Sequence, residues 1–211
     1  EAAGIETLGL AYVELTATDR FEAVADGRVA LLCGAATRTL ARRAQVDFSI
    51  PTFVDGAGIA LPRGGATSMQ ELAGRAIAVT GGTTTEEALT NMLERTGMNA
   101  EVLTVPDHDA GLAALTDGSA AAYFADRAIL HFLVAARGLD DVVVADDQFT
   151  LETHALALAR GDADFRLAVD RALSRLYLTG EVDALFAQAF GADAEMTDLL
   201  HALYRISALP R

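Results

Sequence analysis

The sequence predicts an α/β protein of two lobes, and two observations carry the prediction. Strand-like and helix-like patterns alternate along most of the 211 residues, which argues for parallel sheets flanked by helices. Two extended connectors, near residues 50–62 and 149–159, bracket a central α/β segment. The middle of the chain then makes one lobe, and its two ends pack as the other. On this reading residues 1–55 and 154–211 form lobe I and residues 56–153 form lobe II, with the connectors side by side as a two-strand hinge.

The elements follow in order. "LGLAYVELT" (from Leu8) reads as a strand, and "DRFEAVADG" as a short helix ended by Gly27. "VALLC" is a buried strand, followed by a loop rich in Arg and Thr. "VDFSIPTFVDGAGIALP" is extended and punctuated by Pro51, Gly56, Gly58 and Pro62. "RAIAVT" is a strand. "TTEEALTNMLERTG" is a helix with Ala88, Leu89, Met92 and Leu93 on one face and Gly97 as its stop.

Strand "AEVLTV", helix "DAGLAALTDG", strand "AAAYFA", helix "DRAILHFLVAARG" and strand "DVVVA" continue the alternation. "FTLETHALALARGD" is extended again. The end is helical: "ADFRLAVDRALSRLYL" repeats apolar residues at Phe165, Val169, Ala172 and Leu176, and "EVDALFAQAFG" and "MTDLLHALYRI" follow.

Composition narrows the function. A net charge of -14 argues against nucleic acid or an anionic membrane surface as a partner. Hydrophobic residues make up 52% of the chain, too many for disorder, yet no apolar run reaches the ~20 residues of a membrane span. Cys33 is alone, so no disulfide forms within the chain. The four histidines, His108, His131, His154 and His201, lack metal-ligand spacing, and no metal or cofactor is expected. Hydrolase and kinase signatures are absent: "TGGTTTEE" lacks the Gly-Lys-Ser/Thr ending of a phosphate loop.

Against this acidic background, "CGAATRTLARRAQVDFS" (Cys33 to Ser49) gathers three arginines and two threonines. Three strand ends converge on one chemistry. "VALLC" leads to Thr37 and Arg42, "RAIAVT" to Gly82, Thr83 and Thr84 at a helix start, and "AAAYFA" to Asp126 at another. A guanidinium grips a carboxylate through paired hydrogen bonds, and a helix N-terminus favours the same anion. Asp126 supplies a carboxylate for an ammonium. Together they describe a receptor for a zwitterion, a free amino acid. Taken singly, Thr84 and Asp126 are also good helix N-caps, and Arg38, Arg42 and Arg43 also suit a solvated face.

The run from "DRFEAVADGRVALLCGAATRTLARRAQVDFSIP" through "LAGRAIAVTGGTTTEEAL" and "DGSAAAYFADRAIL" to "LALARGDADFRLAVDRALSRLYLTGEVDALFAQAFG" resembles the extracytoplasmic amino-acid-binding proteins of ABC importers, solute-binding protein family 3. "CGAATRTLARR", "TGGTTTEE" and "PDHDAG" look most like the glutamate/aspartate-binding branch. The resemblance implies the type II periplasmic-binding-protein fold, a ligand in the inter-lobe cleft, and closure by hinge bending. It implies that Arg42 holds the α-carboxylate with Thr37, Thr84 and the backbone at Ala35, and that Asp126 pairs with the α-ammonium. It further implies that Arg20 reaches a side-chain carboxylate and that His108 lines the pocket.

Arg20 also suits a role in stabilising its own helix, and His108 one near a helix cap. Arg38 and Arg43 are expected to face solvent. Ala17 and Ala30 depart from the branch, standing where a small hydroxyl residue and an Asp are usual. The resemblance also implies a first lobe lacking its N-terminal strand, a periplasmic monomer exported by a signal peptide not present in this chain, and an ABC permease as partner. Two other readings use the same fold. One is a periplasmic dehydratase, with His108 or Glu152 as its general acid/base; the other is the sensing domain of a receptor.

Overall fold

A computed structural model describes residues 9–192 and 194–210. The chain forms two compact units. One comprises residues 9–15, Asp19–Val54 and the chain from Glu152 onward; the other comprises Thr16–Thr18 and Asp55–Leu151. The main crossings between them are at Val54/Asp55 and Leu151/Glu152.

The second unit is built on a five-stranded sheet. In chain order its strands are β3 (Ala57–Pro62), β4 (Ala76–Thr80), β5 (Glu101–Val105), β6 (Ala122–Asp126) and β7 (Val142–Val144), arranged β5-β4-β6-β3-β7. Only β4 runs parallel to its neighbours β5 and β6; β3 pairs antiparallel with both β6 and β7. The parallel sheet expected from alternation therefore holds for three strands. Strand β3 enters directly from an extended connector, without the crossover helix that a parallel neighbour requires.

Helices α3 (Thr84–Thr96), α4 (His108–Thr116) and α5 (Arg127–Ala136) cover this sheet. Ile59, Leu61, Ile77, Val79 and Phe124 join Leu89 and Leu93 of α3 in one apolar cluster. The alternate residues Ala60, Ala78, Tyr123 and Ala125 join Leu112, Leu115 and Leu130 in another. Both faces are buried, which is why these strands read as continuous apolar runs. Helix α3 ends as expected, with Gly97 in the left-handed region at φ 65°.

The first unit holds α1 (Arg20–Ala25), β1 (Leu31–Leu32), a single helical turn α2 (Leu40–Arg43), β2 (Asp47–Asp55) up to Val54, and β8 (Glu152–Leu158). Its sheet has the order β1-β8-β2, with β1 antiparallel to β8. Phe21, Val24, Leu32, Val46, Phe48, Ala155 and Ala157 form its core. Helices α6 (Ala163–Thr179), α7 (Glu181–Phe190) and α8 (Asp198–Ser207) complete it, and Leu200, Leu203 and Tyr204 of α8 form a second cluster with Phe53, Val54 and Tyr177.

Two readings of the sequence need correction, and the packing of a third element adds to its reading. No strand forms over residues 9–16, where Leu10, Tyr12 and Val13 are exposed; Leu8 lies outside the described residues. The apolar pattern is present, but no described strand pairs with it, and a strand needs a ladder partner. "VALLC" contributes only two ladder residues. In α6 the apolar stripe is not the most buried line: Ala172 is exposed, whereas Ser174 is buried and its Oγ accepts from the Leu209 N–H at 3.1 Å. A further polar contact anchors this helix, Asp170 Oδ1 accepting from the Ile50 N–H at 2.8 Å.

Candidate functional site

In the first unit the candidate residues gather around Phe21. The guanidinium of Arg42 lies 4.7 Å from the centre of the Phe21 ring, and that of Arg20 lies 5.2 Å from it. Both arginines are half-buried. Arg42 Nη1 donates to the Thr37 carbonyl at 3.0 Å, and Arg20 Nη1 to the Ala35 carbonyl at 3.4 Å. Thr39 sets Arg42 in place: its Oγ1 caps α2 by accepting from the Arg42 N–H at 3.1 Å. Thr37, buried, forms an isolated antiparallel bridge with His154 of β8. Arg20, Ala35, Thr37 and Arg42 are thus brought together on one support.

Sequence reasoning named Arg20 but not Phe21, the ring next to it that carries both cations. The signal was an aromatic residue directly after an arginine in an amphipathic turn. Arg43 is exposed as expected, but Arg38 is half-buried, its backbone N–H donating to the Thr153 carbonyl at 3.0 Å.

In the second unit the three candidates sit at helix starts. Thr84 opens α3, but the N-cap is Thr83, whose Oγ1 accepts from the Glu86 N–H at 3.1 Å. Capping therefore does not explain Thr84. Glu86 Oε2 accepts from the Gly82 N–H at 2.8 Å, and its Oε1 from Thr104 Oγ1 at 3.0 Å. The chain's own carboxylate thus takes part of the helix-start field that the sequence reading assigned to a ligand.

Asp126 stands at the N-cap position of α5, yet its side chain makes no cap bond. Asp55 does that work, its Oδ2 accepting from the Ala128 N–H at 2.9 Å. Asp126 is a carboxylate only 9% exposed at the end of β6.

His108 is the first residue of α4, capped by Asp107, whose Oδ1 accepts from the Ala110 N–H at 2.8 Å. Its Nδ1 lies 2.6 Å from the Tyr123 hydroxyl, which in turn lies 2.8 Å from Thr80 Oγ1. Burial pushes the Tyr123 phenol above its ordinary range, against the smaller downward pull of Thr80. Tyr123 and Thr80 escaped the sequence reading because they lie inside strands that read as apolar core. Among the described residues, no three His, Cys, Asp or Glu side chains form a group able to hold a metal ion.

Residues 3–192 match the family described as bacterial extracellular solute-binding proteins, family 3. The L-glutamate/L-aspartate-binding protein of Pseudomonas aeruginosa is 30% identical over 185 residues, covering 87% of this chain and 61% of that protein. The glutamate/aspartate import solute-binding protein of Salmonella typhimurium is 26% identical over 209 residues, covering 94% of this chain and 69% of that protein. The chain therefore spans about three fifths to seven tenths of these relatives. Among solved structures, the GluR0 ligand-binding core of Nostoc punctiforme in complex with L-glutamate is similar at a TM-score of 0.73 and 26% identity, covering 90% of this chain and 85% of that one. An L-cysteine receptor of Neisseria gonorrhoeae shares the fold at a TM-score of 0.77 and 24% identity, covering 87% of this chain and 74% of that one.

Proposed function

The chain belongs to the bacterial extracellular solute-binding proteins, family 3, and from that premise we propose that it captures a free acidic amino acid, glutamate or aspartate, for delivery to the permease of an ABC importer. One observation carries the acidic reading: Arg20 and Arg42 rest on the same Phe21 ring in a chain of net charge -14. A guanidinium binds a carboxylate through paired hydrogen bonds, and a ligand with two carboxylates offers one to each arginine. The names of the Pseudomonas and Salmonella relatives support the same ligand class.

In this proposal Arg42 takes the α-carboxylate, with Thr37 and the backbone at Ala35 beside it, and Arg20 takes the side-chain carboxylate. From the second unit Thr84 adds a hydroxyl, Asp126 pairs with the ammonium, and His108 contacts the side chain. Bending at the two chain crossings encloses the ligand, excluding water and strengthening each ion pair. The protein acts in the periplasm, as a monomer and as a carrier rather than an enzyme; the relatives are named as binding proteins.

The test is titration calorimetry against the twenty amino acids. Binding of glutamate or aspartate, abolished in Arg42→Ala, is the expected result. Binding of a neutral or basic amino acid alone would overturn the acidic reading. Small-angle scattering with and without ligand checks closure, and an unchanged radius at saturation would remove it.

A further inference from the structure

The packing of Tyr123 against α4 bears directly on His108. Gly111 stands three residues after His108 on the same helix, and a Cβ there would lie 2.3 Å from the Tyr123 ring. Only glycine lets the ring come this close. The ring is fully buried, and its hydroxyl lies between two partners, Thr80 Oγ1 at 2.8 Å and His108 Nδ1 at 2.6 Å.

Three polar atoms in a row leave two head-to-tail ways to run the hydrogens; a third, with both neighbours donating to Tyr123, leaves the buried phenol hydrogen without an acceptor. From threonine to histidine, Thr80 donates to Tyr123 and Tyr123 donates to Nδ1. Both hydroxyl hydrogens are then bonded, and the imidazole carries its own hydrogen on Nε2. In the reverse direction Nδ1–H donates to Tyr123 and Tyr123 donates to Thr80. The Thr80 hydroxyl hydrogen is then left over, in a side chain only 3% exposed whose Oγ1 has no other hydrogen-bond partner among the described residues. A buried donor without an acceptor is the costlier state.

We propose that Tyr123 is a positioning residue that holds His108 as the Nε2–H tautomer, so that the ring offers the ligand a hydrogen-bond donor. This inference rests on the function proposed above, and it names a source of that site's selectivity. An Nε2–H complements an acceptor, a carboxylate or amide oxygen. A side-chain ammonium or guanidinium brings only donors and finds no partner there.

The experiment is nitrogen-15 NMR of histidine-labelled protein at pH 8.5, with His108→Gln identifying the His108 signals. The expected spectrum shows Nδ1 as an unprotonated acceptor and Nε2 as a protonated nitrogen. Tyr123→Phe keeps the ring in its place against Gly111 and is expected to release His108 to a mixture of tautomers, with glutamate affinity falling roughly tenfold. Thr80→Val is expected to leave the tautomer unchanged, because Nδ1 is still the one acceptor within reach of the Tyr123 hydroxyl.

A protonated Nδ1 in the unmodified protein would overturn the proposal, as would a Tyr123→Phe spectrum identical to it. Should Tyr123→Phe fail to fold, the spectrum of the unmodified protein decides the hydrogen-bond direction by itself. A held Nε2–H tautomer in a protein that binds no acidic amino acid would defeat the functional reading and leave the tautomer assignment standing. Undiminished glutamate binding after release of the tautomer would defeat the selectivity role alone.

Discussion

Arg20 and Arg42 approach the same Phe21 ring, at 5.2 and 4.7 Å from its centre, although they lie on different helices. A ring face attracts each cation by about 0.5–2 kcal/mol, depending on how far it is desolvated, and so offsets part of their mutual repulsion. The ring orients the two guanidinia before any ligand arrives. Phe21→Leu is therefore expected to weaken glutamate binding by roughly fivefold or more, by loss of this attraction. As a large-to-small change in a buried cluster it is expected to cost about 1–2 kcal/mol in a urea melt. Unchanged affinity would reduce Phe21 to a packing residue.

The two arginines are expected to separate in their effects. Arg42→Lys keeps the charge but loses the planar fork and the bond to the Thr37 carbonyl, so affinity for every amino acid falls, by roughly a hundredfold. Arg20→Gln is expected to weaken glutamate and aspartate selectively. Calorimetry of both variants against glutamate and glutamine checks this, and an equal loss of the two ligands in Arg20→Gln would remove its side-chain role.

Asp55 and Asp126 divide a task that one residue usually performs. Asp55 caps α5 through the Ala128 N–H, whereas Asp126, at the cap position, does not. Asp55→Ala is expected to cost about 0.5–2 kcal/mol of stability. Asp126→Asn is expected to leave the cap intact and to abolish ligand binding. Urea melts and calorimetry read the two effects apart; a stability loss in Asp126→Asn matching that of Asp55→Ala would contradict the division.

That division marks the limit of what the sequence shows. Strands β4 and β6 and helix α3 were legible because their periodicities and stop signals are local, down to Gly97 in the left-handed region. Arg42, Thr84 and Asp126 were legible as residues placed just after strands. Their supports were not. Asp55 lies 73 residues from the amide it caps, and Tyr123 reads as one more apolar position in "AAAYFA". Over residues 9–16 the expected strand failed for a similar reason, since a pattern of side chains does not supply a ladder partner.

Gly111 tests the packing behind His108. A methyl group there would meet the Tyr123 ring at 2.3 Å, within a core that has no room to yield. Gly111→Ala is expected to destabilise the protein by about 1–3 kcal/mol despite the better helix propensity of alanine. Thermal unfolding without ligand checks this, and a stabilised variant would show that the ring moves aside at little cost.

Alkaline pH tests the other buried tyrosines. Tyr177 and Tyr204 stack with ring centres 4.6 Å apart, and their hydroxyls donate to the adjacent carbonyls of Pro51 and Thr52 at 2.9 and 3.2 Å. Burial pushes Tyr204 up to about 12, with the Asp183 charge adding to the shift, and it raises Tyr177 as well, helped by Tyr204 and Asp170. Their unfolded phenols titrate at about 10, so between about pH 10 and 12 the folded state binds more protons than the unfolded one. Their contribution to stability is fully present below pH ~10 and is lost as pH rises through the folded values. Tyr204→Phe removes one titrating group and is expected to flatten the fall in stability over that window, while losing the bond to Thr52 at neutral pH. Denaturant melts from about pH 8 to 11.5 check the slope, and an unchanged slope in the variant would assign the alkaline loss to other groups.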